Sequence, residues 1–249
     1  MKIKDRLFFR VVIVTPILII GLLFLKFYFK TDALFIKDVS SVSGYLTVIG
    51  TLYSILAAFV IYAVWDQFSK CSDAVDSEAN DLRDLIRYAG YFNDSLFEKK
   101  IKQAKDNYTE SVLDDEWLSL RQGRVSSETE KKFHAIYSVI KSVKFDDQKD
   151  PIAWQQLIKK YNDVSDARNT RITMSLQRIP VVLKSLLYLV SVAVITGFFL
   201  LGIENNFIAV LITAFTTIVV IFVIEVVEDL DDPYTGRWAI TKKDFRSKV

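Results

Sequence analysis

Hydrophobic residues in this 249-residue chain are gathered into four blocks rather than spread along it. Leu7 to Phe29 is almost entirely Leu, Ile, Val and Phe, broken by Arg10, Thr15, Pro16, Gly21 and Lys26. The run exceeds a signal-peptide core, and no small-residue cleavage site follows Lys30, so a membrane span is favoured over a cleavable leader. Leu46 to Trp65 offers twenty residues without a formal charge. At about 1.5 Å per residue this crosses a hydrocarbon layer of about 30 Å. Ile179 to Leu201 is the third block, interrupted by Lys184, whose amine can reach back to the interface. Phe207 to Val227 is the fourth, with Glu225 at its end.

The pattern predicts an all-α polytopic membrane protein with four transmembrane helices and a cytosolic helical domain. Residues 1–65 carry spans one and two, 66–178 the domain, 179–227 spans three and four, and 228–249 a cytosolic tail. Spans three and four, joined around Gly202 to Asn206, form an antiparallel hairpin. Lys2, Lys4, Arg6 and Arg10 flank the first span, and Arg237, Lys242, Lys243, Arg246 and Lys248 follow the last, whereas the hairpin loop has neither Lys nor Arg. The bias places both termini in the cytoplasm, and a bacterial inner membrane is the expected location. Lys30 and Lys37 in the first external loop are a minor dissent.

Between spans two and three the periodicity is helical. Phe68, Val75, Leu82, Leu85, Ile86 and Ala89 continue the second span as an amphipathic helix. Ile101, Ala104 and Tyr108 mark a second helix, and Ser127 with Glu130 reads as a capping box opening a third. Asp150 as N-cap and Pro151 at the first helical position open a fourth, and Pro180 is expected to kink or restart it at the membrane edge. The acidic runs Asp114, Asp115, Glu116 and Asp146, Asp147, Asp150 fall where solvated loops are expected.

Composition removes several function classes. The 32 basic and 30 acidic residues leave a net charge of +2, so no nucleic-acid partner is expected. With Cys71 and His134 the sole residues of their types, a His/Cys zinc site or Cys–His catalytic pair is disfavoured. No phosphate loop or catalytic triad is present; the chain is expected to be no enzyme, with no cofactor and no metal site.

The second span differs from the others by interleaving Thr47, Gly50, Thr51, Ser54, Ala57 and Ala58. Thr47, Thr51, Ser54 and Ala58 share one helical face. Close helix packing explains such a face. So does a pore wall, if an oligomer sets one such helix per subunit around its axis.

Gly50 to Phe68, then Leu85 to Ala89, resembles the second span and following cytosolic helix of bestrophins. Arg168 to Gly197, with Ile179-Pro180 at the membrane entry, resembles their third span. Val226-Val-Glu-Asp-Leu-Asp-Asp-Pro-Tyr-Thr-Gly236 resembles the end of their fourth. The resemblance runs from Gly44 to Gly236 and rests on order and spacing together. It implies a homopentameric ion channel in membrane lipid, passing small inorganic ions, usually anions such as chloride, through a central pore lined by the second spans. The pore-lining positions would be Thr47, Gly50, Thr51, Ser54, Ile55 and Ala58. The family's apolar neck maps to Thr47, Thr51 and Ile55, so threonine stands where aromatic rings are usual. A family Arg-Trp-Trp triplet reads Ala63-Val64-Trp65 here. The alternative, of another class, is a non-conducting membrane scaffold or signalling protein whose cytosolic helical domain binds a partner.

Glu225, Glu228, Asp229, Asp231 and Asp232 crowd the end of the fourth span before Pro233. A solvated stop to the span explains them. The functional reading makes Glu228, Asp229, Asp231, Asp232 and Pro233 a gating or intersubunit contact, the carboxylates pairing across a subunit boundary with basic residues such as Arg83, Arg87 or Lys70 on the helix below the second span. Animal bestrophins follow this point with an acidic calcium clasp. Here Arg237, Lys242 and Lys243 occupy that stretch, so the activity is expected to be calcium-independent.

Overall fold

A computed structural model describes residues 39–145, 150–201 and 205–246, together with Ile20, Gly21, Phe24, Ile203 and Val249. The first expected span, Leu7 to Phe29, lies outside the described residues apart from Ile20, Gly21 and Phe24, as do the basic residues before it. Among the described residues the secondary structure is helical: α1 (Val39–Ala89), α2 (Ser95–Ser111), a π turn (Val112–Glu116), α3 (Trp117–Arg121), α4 (Ser127–Ile140), α5 (Asp150–Leu176), α6 (Val181–Leu200), α7 (Asn206–Leu230) and α8 (Lys242–Arg246). Three of these, over Ser40–Ala89, Val181–Leu200 and Phe207–Leu230, are long and apolar enough to cross a membrane. Contacts divide the chain into two units, Met1–Asp66 with Arg178–Asp231, and Gln67–Gln177 with Asp232–Val249.

In the first unit α6 and α7 pack as a hairpin. Asn205 caps α7 by accepting from the backbone N–H of Phe207 and Ile208 at 3.0 and 3.3 Å. Ser191, Thr213 and Thr217 donate to the carbonyls of Leu187, Ala209 and Thr213. These hydroxyls thus satisfy themselves on their own helix. Gly197 lets α6 approach α1: a Cβ there would sit 2.5 Å from Leu46 Cδ2 and 3.7 Å from the Tyr45 ring.

The second unit has a continuous core. α1 contributes Cys71, Val75, Ala79, Leu82 and Leu85, α2 adds Phe97, Ile101 and Tyr108, and α4 adds Phe133, Ile136 and Ile140. Asp94 caps α2 by accepting from Leu96 and Phe97 N–H at 2.9 and 3.0 Å. The expected box at Ser127 is displaced by one residue: Ser126 is the N-cap of α4, accepting from Thr129 N–H at 3.2 Å. The reason is local, since the Thr129 hydroxyl is buried against Ser111 at 2.9 Å and anchors that register. Asp150 lies within the first turn of α5 rather than before it. Gly123, at φ +72°, ends α3, with Arg124 N–H bonded to Ser119 O and Gly123 N–H to Leu120 O. That pair of bonds needs the left-handed conformation glycine accepts most readily.

The segment after α7 belongs to this second core. Tyr234 packs edge-on to Trp117 with ring centres 4.8 Å apart, Phe245 lies 6.1 Å from the same ring, and Arg121 Nε donates to Tyr234 O at 2.8 Å.

Gly197→Leu is expected to destabilise the α1–α6 packing by about 1–3 kcal/mol through overpacking against Leu46. Gly197→Ala, which a swing of the Leu46 methyl can absorb, is expected to cost less; thermal unfolding of the two variants in detergent checks the order.

Candidate functional site

Along the membrane part of α1, Tyr53, Ala57, Val60 and Val64 are buried at intervals of four and three. Thr47, Thr51, Ser54 and Ala58 are exposed on another face. Each hydroxyl donates to the carbonyl four residues back: Thr47 to Ser43 at 2.8 Å, Thr51 to Thr47 at 2.7 Å and Ser54 to Gly50 at 2.8 Å. The face is therefore polar and neutral. Gly50 is half-buried at its flank, and Ile55, 65% exposed, lies on an adjoining apolar ridge with Val48, Leu52 and Phe59.

At the other end of the first unit, the start of α6 meets the end of α7. Asp231 is 5% exposed. Its Oδ1 accepts from Ile179 N–H at 2.8 Å, and its Oδ2 lies 2.8 Å from Lys184 Nζ. Lys184 also approaches Glu228 Oε1 at 3.4 Å, and the Tyr188 hydroxyl donates to the same oxygen. Acids at a helix C-terminus and a lysine in a helix's first turn each oppose a macrodipole. Set side by side, they neutralise one another.

The densest electrostatics lie inside the second unit. Arg171, fully buried on α5, donates through Nε to Glu78 Oε2 at 2.5 Å and through Nη2 to Glu78 Oε1 at 3.2 Å and Glu116 Oε2 at 2.6 Å. Arg168 Nη2 reaches Glu116 Oε1 at 2.7 Å, and the Tyr108 hydroxyl donates to Glu78 Oε1 at 2.5 Å. The two arginines and two glutamates cancel. Burial works against the Arg171 charge, but Glu78, Tyr234 and Glu116 outweigh it, so the guanidinium holds its proton more tightly than usual. Burial, then the Glu78 charge, pushes Tyr108 well above the ordinary phenol range. Burial also raises Tyr234, although Arg171 beside it pulls the other way. Tyr234 Oη and Arg171 Nη1 make no hydrogen bond of good geometry.

The bestrophin-like domain family matches residues 14–245. The chain belongs to that family. Its fold is similar to crystal structures of a bacterial bestrophin homolog from Klebsiella pneumoniae carrying single mutations. One aligns with a TM-score of 0.72 at 13% identity over 97% of this chain and 95% of that one. Another aligns with a TM-score of 0.73 at 14% identity over 97% of each chain. A third structure, described as a membrane protein, covers 98% of both chains at 13% identity with a TM-score of 0.72. No curated protein matches the sequence.

In this bestrophin-like protein the residues expected at the end of the fourth span part company. Glu228 and Asp231 enter the Lys184 cluster, whereas Asp232 Oδ1 accepts from Tyr234 N–H at 3.1 Å and Pro233 O from Ile240 N–H at 2.9 Å, shaping the turn that follows. Asp229 stands on the last turn of α7. Within the chain, Lys184 offsets this acidic charge. Arg87 pairs with Asp84 at 3.1 Å, Arg83 donates to Asn80 at 2.6 Å, and Lys70 lines a groove with Asp73 and Asp166. Asp146 and Asp147 lie outside the described residues.

Glu116 corrects the sequence reading outright: it is not a solvated loop residue but fully buried on the π turn. Glu78, Arg168 and Arg171 carry no motif that marks them in the sequence as site residues. Glu78 had a detectable signal, falling between Val75 and Leu82 on the buried stripe of α1. By contrast His134 is exposed and lies 3.6 Å from Glu130, an ordinary surface pair.

Removing one member of the quartet strands a buried charge. Arg171→Met is expected to destabilise the protein by about 3–5 kcal/mol, read by denaturant unfolding. Alkali should act through the tyrosines. An unfolded phenol ionises near pH about 10, where Tyr108 and Tyr234 in the fold still hold their protons. Their contribution is complete below that pH and declines as pH climbs towards the raised folded values. Tyr108→Phe is expected to flatten the decline, measured as unfolding free energy against pH.

Proposed function

We propose that this bestrophin-like protein is a homo-oligomeric channel, five copies around a central axis, passing small inorganic ions through a pore lined by α1. The supporting observation is the exposed, neutral face of Thr47, Thr51, Ser54 and Ala58 within a span otherwise built of bulky apolar side chains. Lipid gives such a face no advantage, whereas facing copies of it make a narrow wettable lumen. With no charged side chain on the face, selection rests on size and dehydration, and chloride is the ion to test first. Gly50 and Ile55 would flank the lumen. Four spans with both termini and the helical domain in the cytoplasm of a bacterial inner membrane complete the reading.

Purified protein in chloride-loaded vesicles is expected to release the ion without micromolar calcium. Thr51→Trp should fill the lumen and cut flux by roughly tenfold or more while native mass still reports five copies. A monomer or dimer in mild detergent removes the axis and the pore with it. An intact ring without flux supports the scaffold alternative instead.

A further inference from the structure

Positions that face one way on an α-helix recur every 3.6 residues or so. Five such turns separate Thr47 from Trp65, so the indole points along the same line as the centre of the hydroxyl face. Thr51, Ser54 and Ala58 fall within about 40° of that line. From Thr47 to Ala58 the line meets nothing bulkier than threonine. It then passes between Ile61, half-buried, and Tyr62, exposed, and ends on Trp65, which is 48% exposed. All of these residues lie in the first unit, on one unbroken stretch of α1, and no proline or glycine stands between Thr51 and Trp65 to kink it. A tryptophan at the end of an apolar run commonly anchors in the headgroup layer. That requires its face of the helix to look at lipid. A straight helix cannot turn one face to lipid at Trp65 and to an aqueous axis at Thr47.

We propose that Trp65 is the size-determining residue of the channel: its indole, one from each subunit, narrows the lumen at the Asp66 end of the hydroxyl face and closes it to all but small ions. The inference rests on the α1-lined channel proposed above and deepens it, because it puts the narrowest level at Trp65 rather than at Thr47 and Thr51. Threonine and serine leave room around an axis, whereas an indole is the largest side chain a subunit can offer there. The ring carries one N–H and no charge, so it excludes by bulk more than by sign.

Flux through the full-length protein in vesicles tests it, with chloride and the larger gluconate ion as probes. The parent is expected to pass chloride and hold back gluconate. Trp65→Ala should raise chloride flux by about threefold or more and admit gluconate, with Trp65→Phe between the two. Fluorescence locates the ring independently of flux: the emission that Trp65→Phe removes is expected to be quenched by iodide in the water and untouched by brominated lipid. Should Trp65→Ala fail to assemble, the flux and the quenching of Trp65→Phe still decide. A conducting parent whose Trp65→Ala and Trp65→Phe variants pass chloride no faster and still exclude gluconate overturns this inference alone. Quenching by brominated lipid overturns it as well, by placing the ring among headgroups. If neither parent nor variants pass chloride, the channel reading itself fails and takes the constriction with it.

Discussion

A single hydrogen-bond ladder must serve two solvents. α1 runs for 51 residues, Val39–Ala89, about 75 Å at the usual rise, more than twice the thickness of a hydrocarbon layer. One helical period therefore fixes which side chains turn inward both where the surroundings are lipid and where they are water. Tyr53, Ala57, Val60 and Val64 in the first part, and Cys71, Val75, Leu82 and Leu85 in the second, fall at helical spacings of three, four and seven. No proline or glycine interrupts α1 between Thr51 and Ala89.

The polar interactions divide by depth. Lys160 sits at the surface of the second unit, 2.8 Å from Asp81 and 3.1 Å from Asp163, and the Asp81 hydrogen bond leads the effects that hold its ammonium above the ordinary lysine value. Such pairs are open to screening by salt. The Glu78, Glu116, Arg168 and Arg171 quartet is closed to it. Its four charges hold α1, the π turn and α5 at fixed separations that apolar packing alone would leave adjustable.

Much of the fold was legible in the sequence. The three helices long and apolar enough to cross a membrane were marked by apolar runs, the continuation of α1 beyond Asp66 by a stripe ending at Ala89, and the break before α6 by Pro180. The hydroxyl face of α1 could be read as well, because a helical wheel needs only spacing. What escaped depended on a change of period. The stripe Phe97, Ile101, Ala104, Tyr108 and Ser111 of α2, continued in α-helical steps, turns Asp115 inward and Glu116 outward. The π turn adds one residue, so Asp115 is exposed and Glu116 fully buried. The intrachain Lys184 pairing at the end of α7 was not legible for another reason. Lys184 lies 47 residues from Asp231 in sequence, and the pairing became visible only when the α6–α7 hairpin closed.

The buried quartet also bears on how this protein can change over generations. Losing any one of its four charges leaves a partner uncompensated in a dry core, whereas exchanging all four for well-packed apolar side chains can be neutral or even stabilising. No sequence of single, tolerable steps leads from one arrangement to the other. Positions 78, 116, 168 and 171 thus behave as one inherited character, and their covariation among related sequences should stand out from the independent drift of surface pairs such as His134 and Glu130.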